Sequence, residues 1–271
     1  MNKNINLNFH QTVSFSKDYL AKILKISDGA SFLTKEEISE ITGIPTGKSS
    51  GKVVPHIYYG LYMGLITFSY ENKRYNLNRT SLGNLILKED SYLTENLTIE
   101  LLNYFLTSNY LGAHMWKSIS RDIFPKYRNI LTRENLEKEL ENIYPENKNI
   151  KLVSWVSMYQ KELSKNNFYN FIEKNIEKKN HKIDSSYFYM YVYTLLKDWE
   201  LNNLSNEITL DNLENLKWGE GLHINKDEEF NLLDKIADKN IIKINKQLSP
   251  ITILKLKNSD DFLDKIFSLL I

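Results

Sequence analysis

The chain has 271 residues, 42% hydrophobic and 25% charged, a balance that supports one large or two modest folded domains and excludes an extensively disordered protein. Its formal net charge of +1 argues against a strongly basic, purely electrostatic binder of nucleic acid. The absence of cysteine excludes disulfides, thiolate zinc sites and cysteine nucleophiles, and fits a reducing cytoplasm.

The opening residues MNKNINLNFHQTVSF contain no continuous apolar stretch, and no run in the chain approaches about 18 apolar residues, so neither a signal peptide nor a membrane span is expected. Through residue 80 there are ten Lys and Arg against six Asp and Glu, a local charge of +4, which leaves −3 for the remainder. The positive charge is concentrated at the beginning of the chain.

Residues 34–77 carry the strongest local signals. Thr34 followed three residues later by Glu37 is a capping box that starts a helix, with Ile38 and Ile41 as its apolar side. Gly43 ends that helix and Ile44-Pro45 makes a turn. A second helix must begin near Lys52, because Pro55 lacks an N–H and is tolerated only in a first turn. Val53, Ile57, Tyr58 and Leu61 recur at helical spacing, and Gly64 is the next C-cap. Leu65–Phe68 and Arg74–Leu77 then flank the polar turn Tyr70–Lys73 as a hairpin. Two helices and a hairpin in this order predict a winged helix-turn-helix.

Gly43-Ile-Pro-Thr-Gly-Lys-Ser49 imitates a phosphate-binding loop of nucleoside triphosphatases, but it is one residue short and follows a charged segment instead of a buried strand. As the start of a recognition helix the segment makes better sense. Lys48, Ser49, Ser50 and Lys52 would offer a phosphate free N–H groups and positive charge there, which adds affinity without sequence information. His56 and Tyr59, with Lys52, would face a groove, and Lys73, Arg74 and Arg79 would add cations from the wing.

Beyond the wing, Leu82, Leu85, Ile86 and Leu87 suggest a short helix that closes a first domain at about residue 90. Residues 91–205 then read as a helical bundle, with helical blocks at 98–107, 111–124, 132–142, 151–163 and 166–178. Tyr187, Tyr189, Tyr191 and Tyr193 alternate with period two, as a strand or base-stacking platform would, although the flanking Thr194–Trp199 favours a helix. Residues 206–271 read as helix, hairpin and helix: 227–239, then 241–245 with 251–257, then 260–270 capped by Ser259. Either a second, degenerate winged unit or a hairpin that closes the bundle accounts for that pattern. The fold class expected is mainly α with small β-hairpins.

The five histidines, His10, His56, His114, His181 and His223, include no pair at metal-ligand spacing, and the acidic runs such as Glu134–Glu141 suit solvated helix faces. No cofactor, metal site or catalytic residue is indicated.

Several segments taken in order carry a family resemblance. They are Phe9-His10 with Thr12, Gly47-Lys48 ahead of a helix running into Met63-Gly-Leu-Ile66, and Thr80-Ser-Leu-Gly83. Ser91-Tyr-Leu-Thr-Glu95, Thr98-Ile-Glu-Leu-Leu102 and Ala113-His-Met-Trp116 follow. In these the first half of the chain resembles a family of unknown function, encoded beside phosphoadenosine-phosphosulfate-reductase-like genes in DNA sulfur-modification and phage-defence clusters. The family pattern has a glutamate after the histidine and a Gly-Val-Gly-Lys turn; Gln11 and Pro45-Thr-Gly-Lys48 stand there instead. The resemblance implies a cytoplasmic or nucleoid-associated accessory role. Its partners would be double-stranded DNA and proteins of a defence or DNA-modification system, with a homodimer compatible and no membrane contact. A protein-interaction adaptor and a metal-dependent nuclease with an unrecognised site are the alternatives.

Overall fold

The computed structural model describes residues 7–47, 51–147, 150–247 and 249–270. Helices predominate, accompanied by small three-stranded antiparallel sheets. The contacts divide the chain into two units, one of Met1–Thr107 with Leu111–Lys178 and one of Ser108–Tyr110 with Lys179–Ile271.

The first unit begins with helix α1 (Lys17–Ile26), which buries Leu20, Ala21, Ile23 and Leu24 along one side. Strand β1 (Asp28–Leu33) leads to α2 (Lys35–Thr42), whose start has the expected capping box: Thr34 Oγ1 accepts the Glu37 N–H at 3.2 Å while Glu37 Oε2 accepts the Thr34 N–H at 2.7 Å. Gly43 ends α2 at φ 69°, in the left-handed region where a residue without Cβ is favoured. Helix α3 (Val53–Tyr62) follows, then β2 (Ile66–Glu71) and β3 (Arg74–Arg79). The connecting turn is shorter than the sequence suggests. Asn72 and Lys73 both take positive φ, 49° and 62°, so a two-residue turn of the type matching strand twist closes the hairpin and Tyr70 pairs with Tyr75.

Helix α4 (Ser81–Glu89) and α5 (Asn96–Leu106) lie where apolar spacing puts them. The block expected at 111–124 starts at α6 (His114–Lys117), widens into a π-helical turn at Ser118–Ile123 and closes as α7 (Phe124–Lys126). This turn holds Arg121, fully buried, with its guanidinium carbon 4.7 Å from the Tyr104 ring centre and Nη2 donating to the Tyr104 carbonyl at 3.2 Å.

Strand β4 (Ile130–Thr132) and α8 (Arg133–Ile143) come next, followed by α9 (Val153–Ser157), which continues as a π-helical turn at Met158–Glu162. Beyond a 3-10 turn at Ser164–Asn166, the rest of the expected 166–178 block is not helical. It forms the hairpin of β5 (Tyr169–Ile172) and β6 (Asn175–Lys178), so the expected all-helical middle contains a sheet. The hairpin was hidden because its turn, Glu173-Lys174, has neither Gly nor Asn, although Glu173 adopts φ 52°.

In the second unit α10 (Phe188–Leu201) contains most of the tyrosine run, and Tyr191 and Tyr193 are buried in it, which settles the period-two ambiguity for a helix. Strand β7 (Glu207–Thr209), α11 (Leu210–Glu214), α12 (Trp218–Gly221) and α13 (Lys226–Asp238) precede β8 (Ile242–Asn245) and β9 (Thr252–Lys255). The last element differs from expectation. It is a 3-10 helix over Ser259–Lys265, capped by Asn258 with Asp261 and not by Ser259.

The three sheets share one topology. Their orders are β1-β3-β2, β4-β6-β5 and β7-β9-β8, each a single strand paired to the second strand of a later hairpin, with helices between. Each first strand runs into a threonine that caps the next helix: Thr34, Thr132 and Thr209 accept the N–H groups of Glu37, Asn135 and Asn212. Four residues after each threonine stands a buried aliphatic residue, Ile38, Leu136 or Leu213. Among the described residues, no helix is long and apolar enough to cross a membrane.

Candidate nucleic-acid interface

The expected interface lies in the strand, two helices and hairpin of residues 28–79, and its members have separate fates. Lys48, Ser49 and Ser50 lie outside the described residues. Lys52 is the half-exposed N-cap of α3; its Nζ is 5.5 Å from the Tyr19 ring centre, and its carbonyl accepts from His56 Nδ1 at 2.7 Å. Lys73 is exposed at the hairpin turn and has no ion-pair partner among the described residues.

Arg74 is exposed but engaged. Its Nη1 donates to the Phe32 carbonyl at 2.9 Å and to Glu37 Oε2 at 3.0 Å, tying the hairpin to β1 and the start of α2. The Thr34 N–H, and behind it Arg74, holds the Glu37 carboxyl below the usual carboxylate range. Arg79 is held likewise, with Nε on Asn84 Oδ1 at 2.9 Å and Nη1 on the Leu24 and Lys25 carbonyls at 3.2 and 3.1 Å. Both arginines brace the hairpin against its neighbours.

His56 and Tyr59 do not face a groove, which corrects the expectation from spacing. Both are fully buried. His56 Nε2 accepts the Ser16 N–H at 3.0 Å, and burial pushes its pKa down to about 4. Tyr59 packs edge-on against Phe15 at 5.0 Å and Phe9 at 4.9 Å, and burial drives its phenol well above the ordinary value. The buried side of α3 is rotated from the four positions the spacing picks out: Val53 and Ile57 lie on it with His56 and Tyr59 as aromatic core, whereas Tyr58 and Leu61 are half-buried on the outer face.

The remaining surface of α3 is Val54, Tyr58, Leu61 and Tyr62, all half-buried. Residues 53–62 contain no Lys, Arg, Asn or Gln, the side chains that pair with base edges in a major groove. Aromatic rings continue from this helix onto the hairpin: Tyr58 stacks on Tyr62 at 6.1 Å and meets Phe68 edge-on at 5.5 Å. Beyond it, Phe68 meets Tyr75 at 5.6 Å, and Tyr75 meets Tyr70 at 4.5 Å. Sequence reasoning missed this array because its members come from three elements.

The segments that carry the family resemblance assemble largely as core. Phe9 packs on Tyr59, Tyr62 and Trp116, and His10 lies edge-on to Trp116 at 5.6 Å, with burial lowering its pKa to about 4. Asp90 accepts the Thr94 and Glu95 N–H groups at 2.9 and 3.0 Å and so shapes the 91–95 loop. Gln11, where the family pattern has glutamate, is exposed at φ 48°. In the second unit the fold unites two histidines distant in sequence: His181 and His223 stack at 5.4 Å, and His223 Nδ1 lies 3.2 Å from the Lys179 carbonyl. Among the described residues no group of three or more His, Asp or Glu is arranged to hold a metal ion.

No protein-family model and no curated protein matches the chain. Its fold is similar to that of the solved protein SspB. The magnesium-bound and the other SspB crystal structure each superpose with a TM-score of 0.70 at 15% identity, covering 96% of this chain and 86% of that one.

Proposed function

We propose that the chain is a non-catalytic, DNA-binding accessory protein of a bacterial DNA-modification or phage-defence system. Residues 28–79 are read as a winged helix, with α2 and α3 as the helix pair and β2–β3 as the wing. The observation that carries this reading is the sheet order β1-β3-β2 around that helix pair, with the unpaired Lys73 at the tip of the hairpin. The same topology in the other two sheets extends the reading to three such units in one chain. Assignment to a modification or defence system rests on the family resemblance of the first half, and the SspB-like fold is compatible with it. A location in the cytoplasm, in part on the nucleoid, follows from the same reading.

The interaction is phosphate-directed. Lys48, Lys52 and Lys73 supply charge, whereas Arg74 and Arg79 shape the wing. An electrophoretic shift assay on duplex DNA at two salt concentrations tests it: Lys48→Ala, Lys52→Ala and Lys73→Ala together weaken binding and reduce the salt slope by roughly one for each phosphate that is no longer neutralised. Unchanged affinity and slope would reject this surface.

The engagement of both arginines and the lack of base-reading side chains on α3 favour a second reading, in which this unit is a scaffold and the protein an adaptor. Co-purification with another protein of the system, without DNA affinity at low salt, would select it. A divalent-metal nuclease has no support in the arrangement of acidic residues described, and incubation with plasmid and magnesium tests it directly.

A further inference from the structure

The rings of Tyr62, Tyr58, Phe68, Tyr75 and Tyr70 form a continuous path from the outer face of α3 to the end of the hairpin, with neighbouring centres 4.5 to 6.1 Å apart. Four of the five carry hydroxyls. Tyr70 is 53% exposed, Tyr58, Tyr62 and Phe68 are half-buried, and Tyr75, which joins Phe68 to Tyr70, is buried beneath them. Strand alternation puts Phe68 and Tyr70 on the side of the hairpin opposite Glu71, and register puts Tyr75 beside Tyr70. No carboxylate is found on α3, and Lys73 at the hairpin turn supplies an exposed cation just past the Tyr70 end of the path. Phe9 lies against Tyr62 at 4.9 Å and supports that end.

Given the DNA reading above, on which this step rests, the chemistry of α3 selects the form of DNA. A helix with no Lys, Arg, Asn or Gln cannot discriminate base edges in an intact major groove. It does present π-faces, which stack on any base that has left the double helix, while Lys73 at the hairpin end of the path meets the phosphates. We infer that the surface of Tyr58, Tyr62, Phe68 and Tyr70, backed from beneath by the buried Tyr75, is a stacking platform for unpaired nucleotides, so that the protein binds single-stranded DNA, or an opened stretch of duplex, in preference to a closed duplex.

Fluorescence anisotropy of the full chain with a labelled oligo-dT of about 12 nucleotides, set against a hairpin duplex of the same total length, is the test. The single strand binds more tightly. Tyr58→Ala and Tyr70→Ala each weaken it about ten-fold while leaving duplex binding nearly unchanged, and the Phe variants, which keep the ring, stay within about two-fold of the parent. Tyr70 is exposed enough for its Ala variant to fold, so the test survives a loss of stability in Tyr58→Ala. Duplex preference with no effect of either Ala variant overturns the platform while the DNA reading stands. Failure to bind either DNA at low salt overturns both.

Discussion

His56 Nε2 accepts the backbone N–H of Ser16 at 3.0 Å and thereby fastens the start of α1 to the interior face of α3. That acceptor must be unprotonated, so the ring proton sits on Nδ1, which donates to the Lys52 carbonyl one turn back at 2.7 Å. Both ring nitrogens are used, and a second proton has no place.

Acid sensitivity follows from this arrangement and from His10, whose Nδ1 accepts the Thr12 N–H at 3.2 Å. Burial lowers both pKa values to about 4 in the folded protein, whereas an unfolded histidine titrates near 6.5. The unfolded state therefore binds more protons between these values. The stabilisation is fully present above about pH 6.5 and is lost as pH falls towards 4, at most about 3 kcal/mol for each ring. Urea midpoints should drop between pH 6.5 and 5, above the range in which most carboxylates titrate. In a His10→Gln, His56→Gln protein that drop flattens. An equal drop in the double variant would remove the histidines as its cause.

The three threonine caps give a second prediction. Thr34→Ala, Thr132→Ala and Thr209→Ala each remove an acceptor from a helix start, at a cost of about 1 kcal/mol apiece. Chemical denaturation measures each. The three costs should be similar, because each variant keeps the backbone N–H at its own position, so that Glu37 still accepts the residue-34 N–H and stays paired with Arg74 at the hairpin. A clearly larger cost at Thr34 than at the other two would mean that its side chain also supports the exposed Glu37–Arg74 pair, which by itself contributes little.

Of the first of these units the two helices and the hairpin, and of the third the helix Lys226–Asp238 and its hairpin, were legible in sequence because their signals are local, whereas β1, β7 and the Thr209-capped α11 were not. Thr34 with Glu37, Gly43 at φ 69° and Gly64 at φ 72° each act within a few residues. The middle sheet was illegible because Glu173 takes a left-handed turn position that its residue type does not advertise. The two π-helical turns were invisible for a related reason, since widening a helix by one residue leaves its apolar face nearly continuous. The site was harder still. Spacing put Val53 and Ile57 on the inner face of α3 but wrongly grouped Tyr58 and Leu61 with them, and could not say that His56 and Tyr59 point inward or that Arg74 and Arg79 are taken by carbonyls of β1 and α1.

Two tyrosines separate a buried hydroxyl with a partner from one without. Tyr159 Oη donates to Asn103 Oδ1 at 2.7 Å inside the core, whereas Tyr59 Oη is buried with no hydrogen-bond partner among the described residues. Tyr159→Phe should therefore lower stability by about 1 kcal/mol, and Tyr59→Phe should be neutral or stabilising. Thermal denaturation of the two variants compares them directly. Because Tyr59 is in the core, Tyr59→Phe also leaves DNA affinity unchanged, and a loss of binding there would return the side chain to the interface.

Gly83 tests whether the Thr80-Ser-Leu-Gly83 segment serves architecture or chemistry. Thr80 Oγ1 accepts the Gly83 N–H at 2.9 Å to cap α4 and donates to the Gly64 carbonyl at 2.7 Å, while Leu82 is buried. A Cβ on Gly83 would lie 2.0 Å from the Leu65 carbonyl oxygen, a backbone atom that cannot rotate aside. Gly83→Ala must push α4 away from the residue that leads into the hairpin, at a cost of roughly 2 kcal/mol or more. The expected result is a clear fall in melting temperature. Ser81→Ala, the neighbouring change at an exposed position, leaves stability within about 0.5 kcal/mol. If Gly83→Ala kept full stability and lost DNA binding alone, the segment would be a binding surface instead of a structural joint.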